Sequence, residues 1–279
     1  MPATLLALPP LLHSVVYSAI NTAVPAGAYT IPASLYPTLL VTLSGQIVLH
    51  HGSAPTLPAI TACGGTHRPR QAWAAPGTRI VLFNIRHGQW PRMFGDGAAA
   101  LMDRWVSLYD LLPAQDHGRL DVCHGQLLWQ PQQALNGLMA LLTTLAARHR
   151  HLAADMVLPE FLWCADHAAL CRHYHLSERQ LARRFQAAYG QSLRHHRRQL
   201  RSSRAIRYLL HSTGPHETLA DIALQHGFYD QAHFQRDIRH FCGQTAHTLR
   251  HIAHHNDNAL WALQLAAIYG SRLLAAQGF

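Results

Sequence analysis

TLADIALQHGFYDQAHFQRDIRHFCG, Thr218 to Gly243, reads as two short helices around one sharp turn. Thr218 followed by Asp221 is a capping box, which starts the first helix by satisfying its orphan N–H groups. Gly227 supplies the left-handed conformation that a sharp turn needs. In the second helix Phe234, Ile238 and Phe241 fall on one side. Ala232, Gln235, Arg236 and Arg239 fall on the other, with Gln231 at the N-terminal end. A merely solvated face would mix glutamate among its basic residues, whereas this one is built of long donors. Arg and Gln make the bidentate contacts that distinguish guanine and adenine in the major groove.

The same plan occurs upstream in LCRHYHLSERQLARRFQAAYG, residues 170–190. Ser177 and Gln180 form the capping box, and Leu181, Phe185, Ala188 and Tyr189 make a buried stripe. Arg179, Ala182, Arg183 and Gln186 lie opposite, and Gly190 stops the helix. Between the pairs, SLRHHRRQLRSSRAIRYLLH (192–211) has an apolar side of Leu193, Leu200, Ile206, Leu209 and Leu210 and a face of Arg194, Arg197, Arg201 and Arg204. One helix of about 20 residues is roughly 30 Å long, close to the ~34 Å turn of DNA. Such a connector holds two reading helices in successive major grooves on one face of a duplex. The slight shortfall implies some bending of the DNA.

Residues 160–250 resemble the double helix-turn-helix module of AraC/XylS-type transcription regulators. The resemblance is carried by Leu176-Ser177, Leu181, Arg183, Phe185, Gly190, Ser192, Arg201, Arg204-Ala205, Leu209-Leu210, Ile222-Ala223, Gly227-Phe228, Phe234 and Arg236 at fixed spacing. It implies base reading by Arg179, Ala182, Arg183, Gln231, Ala232, Gln235 and Arg236, and phosphate contacts from Ser192, Arg201 and Arg239. Cys171, Leu181, Phe185, Gly190, Ala223, Gly227, Phe228 and Phe234 are the implied structural positions. Three features depart from the pattern. His175 stands where the first turn usually has a glycine-like residue. Ala246 replaces the usual proline, and twenty-nine residues follow Arg250.

Charge supports a polyanionic partner. All 23 basic residues are arginine, the forked donor suited to phosphates, and the formal charge is +9. Residues 167–250 hold thirteen Arg against five acids, whereas 1–150 hold nine against five, so the excess sits in the C-terminal half. The five cysteines are never spaced as CxxC and read as reduced thiols of a cytoplasmic protein. The N-terminal MPATLLALPPLLHSVVY reads as an opening strand rather than a signal peptide, and no run reads as a clean membrane span.

Ahead of the helical module, turn residues alternate with short β-like runs up to about residue 113. YPTLLVTLSGQIVLHHG has two apolar runs around Ser44-Gly45, a hairpin signal, and TRIVLFNIRHG is another strand. From about Asp96 the pattern turns helical, and Leu135, Leu138, Met139, Leu142 and Leu145 share one stripe. The front part resembles the cupin-like β-barrel sensor domains that precede such modules. The expected fold is therefore α+β. It comprises a sensor over 1–113, a helical connector or dimerisation segment over 114–156, the helix-turn-helix domain over 157–255, and a helical tail over 256–279. The resemblance implies a small effector in the barrel, with Tyr36, Trp73, Phe83 and Trp90 as pocket candidates that compete with a plain core reading. In the tail, Leu260, Leu263, Ala267 and Leu274 make an apolar face that must pack on the sensor, on the DNA-binding domain or on a second subunit.

Two rival readings stand beside this one. Cys164, His167, Cys171 and His175 can line one helix face, which would suit a metal- or redox-responsive regulator. Cys171 is equally a small packing residue and His175 a turn residue, and Cys164 and Cys171 are about 10 Å apart along a helix, too far for a disulfide. His50, His51, His67 and His87 invite comparison with catalytic cupins, without matching their spacing. The reading adopted needs no cofactor, metal or catalytic residue. Its partners are promoter DNA, a small effector, a second copy of the chain and, for an activator, RNA polymerase.

Overall fold

In the strand Arg79–Ile85 the side chains alternate between two cores, and this period of two organises the N-terminal half. The computed structural model describes residues 3–50, 56–86, 88–95, 98–149, 166–211, 217–252, 260–263 and 265. Its strands are β1 (Thr4–Leu5), β2 (Val16–Ala23), β3 (Gly27–Ile31), β4 (Thr38–Ser44), β5 (Ile47–Leu49), β6 (Ile60–Cys63), β7 (Arg70–Ala74), β8 (Arg79–Ile85) and β9 (Trp105–Ser107). They form a six-stranded sheet in the order β1-β2-β8-β4-β6-β9 and a three-stranded sheet in the order β3-β7-β5. All pairings are antiparallel.

Val81, Phe83 and Ile85 of β8 face outward from this pair of sheets, with Leu39 and Val41 of β4. Ile80 and Leu82 face inward, toward Tyr29, Ile47, Ala72 and Ala74 of the small sheet. The outer face is covered by α1 (Trp90–Phe94), α2 (Ala114–Gln126) and α3 (Pro131–Arg148). The stripe Leu135, Leu138, Met139, Leu142 and Leu145 is buried there as its spacing requires. Each such side chain contributes about 1.5–3 kcal/mol. Arg148 clamps α3 to Asp116 of α2 through two bonds of 2.6 and 3.0 Å. The N-terminal half is thus three layers: small sheet, large sheet, helices.

The runs flanking Ser44-Gly45 are strands, but β4 and β5 do not pair with one another. The chain crosses from the large sheet to the small one at Gly45, whose φ is +73° and whose missing Cβ would lie 2.3 Å from Thr78 Oγ1. A positive φ packed so closely against another backbone admits only glycine. The region after Asp96 is not uniformly helical either. Trp105–Ser107 pairs with β6, and α2 begins only at Ala114.

The C-terminal half is helical: α4 (His167–Tyr174), α5 (Glu178–Tyr189), α6 (Leu193–His211), α7 (Leu219–Gln225), α8 (Gln231–Cys242) and α9 (Ala246–Ile252). Helix α6 serves two cores. Leu193 and Leu200 join Leu170, Leu181, Phe185 and Tyr189. Ile206 and Leu209 join Ile222, Phe228, Phe234, Ile238 and Phe241. The halves are docked: Leu35 enters the first helical core, the Ala33 N–H donates to the Phe241 carbonyl at 2.7 Å, and Gln199 Nε2 donates to the Thr66 carbonyl at 2.9 Å. Among the described residues no helix is long and apolar enough to cross a membrane.

Candidate nucleic-acid interface

Each reading helix is aimed by the residues at its ends. Before α5, Ser177 accepts from the Gln180 N–H and the Gln180 side chain accepts from the Ser177 N–H, a complete capping box. The turn from α4 passes through His175 at φ 52° and ψ 44°. The departure from glycine is therefore absorbed in the left-handed region, at a cost that the Leu176 N–H to Cys171 carbonyl bond of 3.0 Å helps to offset. In the second unit Thr218 and Asp221 form the box. Gly227 has φ +74°, and Asp230 caps α8 by accepting from the His233 N–H at 2.6 Å.

Behind the helices, Leu181, Phe185 and Tyr189 of α5 and Phe234, Ile238 and Phe241 of α8 are buried. Cys171 is partly buried against the first core, while Ala223 and Phe228 are buried in the second. The opposite faces are exposed. Arg179, Ala182, Arg183 and Gln186 project from α5, and Gln231, Ala232, Gln235, Arg236 and Arg239 from α8. None of the four arginines makes an ion pair among the described residues. The acids of α8 are withdrawn from the face: Asp230 is the cap, and Asp237 is 2% exposed. What remains is a donor-rich, acid-free surface on α8 and a donor-rich one on α5, where Glu178 is exposed in the first turn. Their linker of 19 residues spans about 28 Å.

Asp237 reveals what the acid in this helix is for. It takes Arg198 of α6 at 2.7 Å and Arg201 of α6 at 3.3 Å, so a buried carboxylate fixes α8 on the linker. Arg201 also donates to the Gly227 carbonyl at 3.2 Å and lies 4.4 Å over the Phe228 ring. Arg201, expected on a phosphate, has its guanidinium engaged within the second unit. The family pattern marks the position without telling which partner the guanidinium takes. Ser192 stays exposed, although its hydroxyl accepts from the His195 N–H at 3.2 Å and so caps α6. Tyr229, 87% exposed just before α8, was not singled out from sequence and stands beside Gln231 at the front of the face.

A cavity of about 310 Å³ lies between the two sheets and α6. Tyr29, Leu40, Ile80 and Leu82 line it from the sheets, Arg207 and Leu210 from α6, and Trp261 from the tail. Of the four pocket candidates, Tyr36 lines it. Phe83 and Trp90 do not, because both belong to the core on the helix-covered face of the large sheet. Trp73 does not line it either, since its neighbours Ala72 and Ala74 are the ones directed inward. The alternation in TRIVLFNI could have shown that Leu82 and Asn84 share one face and Phe83 the other. Nothing local in the sequence marks Arg207 or Trp261 as cavity residues.

The ligand set of the metal rival is described only in part. Cys164 lies outside the described residues, His175 sits in the turn, and no metal-holding cluster occurs among the described residues. His51 and His87 also lie outside them. The buried thiols are poorly poised for redox chemistry. Burial pushes the Cys242 thiol up to about 12 and raises that of Cys63 as well.

Residues 170–252 match the helix-turn-helix domain family model. No curated protein matches the sequence. The chain is similar in structure to ToxT from Vibrio cholerae. An apo variant of ToxT is 13% identical, over 83% of this chain and 96% of that one, with a TM-score of 0.43. The form bound to (E)-4-(8-methylnaphthalen-1-yl)but-3-enoic acid gives 12%, 83%, 96% and 0.43, and the wild type with an unsaturated fatty acid bound gives 12%, 80%, 93% and 0.37. The matched span takes in α5 to α9 with the caps of α5, α7 and α8, and it begins inside α4, so residues 170–252 are a helix-turn-helix domain.

Proposed function

We propose that the chain is a sequence-specific transcription regulator whose hold on promoter DNA is set by a small molecule in the cavity between sheets and linker. The observation that carries this is the pair of exposed, donor-rich faces on α5 and α8, joined through α6, which follows α5 and holds α8 along its side through Arg198 and Arg201. Arg183 and Arg236 sit centrally on those faces and read bases. Arg239 and Ser192 sit at the margins and hold phosphates, which orient the protein without reading sequence. Such a protein works in the cytoplasm, where its DNA is.

The cavity suits an effector because it is mostly apolar, carries a few polar groups, and lies at the low end of the ~300–1,000 Å³ typical of ligand pockets. Among the described residues Arg207 is the cation in its wall, and no acid lines it. An apolar molecule with an acidic end group is the complement. Because α6 is at once a cavity wall and the arm between the reading helices, a ligand that repacks α6 changes their relative aim. A second copy of the chain would pair through the α2–α3 corner, where Val122, Leu128 and Trp129 are exposed together. As an activator it would also touch RNA polymerase. Footprinting purified protein across its own upstream DNA tests the reading. Two protected major-groove tracts one helical turn apart are expected, and protection without sequence preference would contradict it.

A further inference from the structure

We propose that the C-terminal tail completes the effector cavity, with the Trp261 indole N–H donating to the acidic group of the ligand. The inference rests on the effector reading above and concerns what the tail adds to it. Leu260, Trp261, Ala262, Leu263 and Leu265 are the described residues of this segment, and they divide between the two halves of the protein. Leu260 and Leu263 pack in the core of the second helix-turn-helix unit, beside Phe241 and Leu249. Trp261 packs in the core between the sheets, edge-on to Tyr29 with ring centres 5.4 Å apart, and Leu265 joins it there. One short stretch is thus riveted to the DNA-reading unit by one face and to the sensor by the other.

The chemistry of that wall points to a ligand oxyanion. Trp261 is 8% exposed, and its Nε1 is buried without an acceptor among the described residues. Trp105 of β9 lines the same cavity, and its Nε1 is in the same condition. Buried indole N–H groups ordinarily find a partner. Arg207 adds a guanidinium that makes no ion pair among the described residues, and the lining has no Asp or Glu. Donors without a matching protein acceptor around an apolar space fit the carboxylate of a largely hydrocarbon molecule. When it binds, that carboxylate ties Trp261 and α6 to one point, so occupancy tightens the tail's grip on the second reading unit.

Binding of decanoate and oleate to the full chain, with the corresponding alcohols as controls, tests this by titration calorimetry. Trp261→Phe keeps the ring and deletes the donor. It should weaken acid binding about 10-fold or more, leave alcohol binding unchanged, and leave the melting temperature of the unliganded protein unchanged. Hydrogen exchange at residues 260–263 should slow when acid is added to the wild type, and should not respond in Arg207→Gln. Wild-type acid affinity in Trp261→Phe, with no protection of the tail, would overturn the tail's role even if Arg207→Gln loses binding and so upholds the cavity. Failure of the wild type to bind either acid would overturn the effector reading itself.

Discussion

Replacing Arg201 by alanine separates two accounts of one arginine. The guanidinium lies over Phe228 at 4.4 Å, donates to the Gly227 carbonyl and pairs with Asp237. A half-exposed cation over a ring is worth about 0.5–1 kcal/mol. The bond to the Gly227 carbonyl adds about 1 kcal/mol. The ion pair is shared with Arg198 and open to water on the arginine side, so it adds less than about 1 kcal/mol. The loss should come to about 2 kcal/mol in urea unfolding of the full chain. Because Asp237 keeps Arg198, the buried carboxylate is not orphaned, and the larger penalty of a broken buried pair is avoided. The variant should bind its site more weakly through the misaimed α8, with the salt dependence of binding unchanged. Unchanged stability, with the slope against salt reduced by about one, would put Arg201 on a phosphate and refute its role within the second unit.

Gly227→Ala must hold a left-handed φ of +74° with a Cβ, which costs about 1 kcal/mol or more. A melt should show the loss, and unchanged stability and DNA affinity would remove the turn's importance. Burial depresses His196 and His195, at the start of α6, to about 4. The unfolded chain takes up protons near pH 6.5, and the folded one does so only near 4. Stability should therefore be complete above pH 6.5 and fall steadily to about pH 4, by on the order of 3 kcal/mol for buried His196. A flat urea profile across that window would contradict the burial of these rings. Trp129→Asp, at an 84% exposed position, should convert a dimer to a monomer in sedimentation without lowering the melting temperature. An unaltered sedimentation coefficient would place the dimer contact elsewhere.

The helical half was legible in the sequence because its signals are local. Ser177 with Gln180, Thr218 with Asp221, and Gly227 each act within a few residues, and each stands as read. Period alone likewise placed the stripe of α3. What escaped depends on distant pairings. The crossing at Gly45 exists because Thr78, from another part of the chain, sits against it. The residue type of Arg201 does not reveal its pairing with Asp237, which arises only from the packing of α6 on α8. The cavity joins residues from the sheets, α6 and the tail, so no window of sequence contains it. Aromatic content pointed to Phe83 and Trp90, but burial of a large ring is the same signal in a core as in a pocket.

The central claim is that the exposed faces of α5 and α8 read bases. The most direct test measures wild-type protein and Arg236→Ala on the footprinted site, on single-base variants of it and on scrambled DNA. Arg236→Ala should lose about 1–3 kcal/mol on the cognate site, and the preference at one base position should disappear. On scrambled DNA the variant should bind nearly as well as the wild type, whereas Arg239→Ala should weaken all three sequences alike and flatten the salt dependence. Equal loss for Arg236→Ala on cognate and scrambled DNA would contradict base reading by this face.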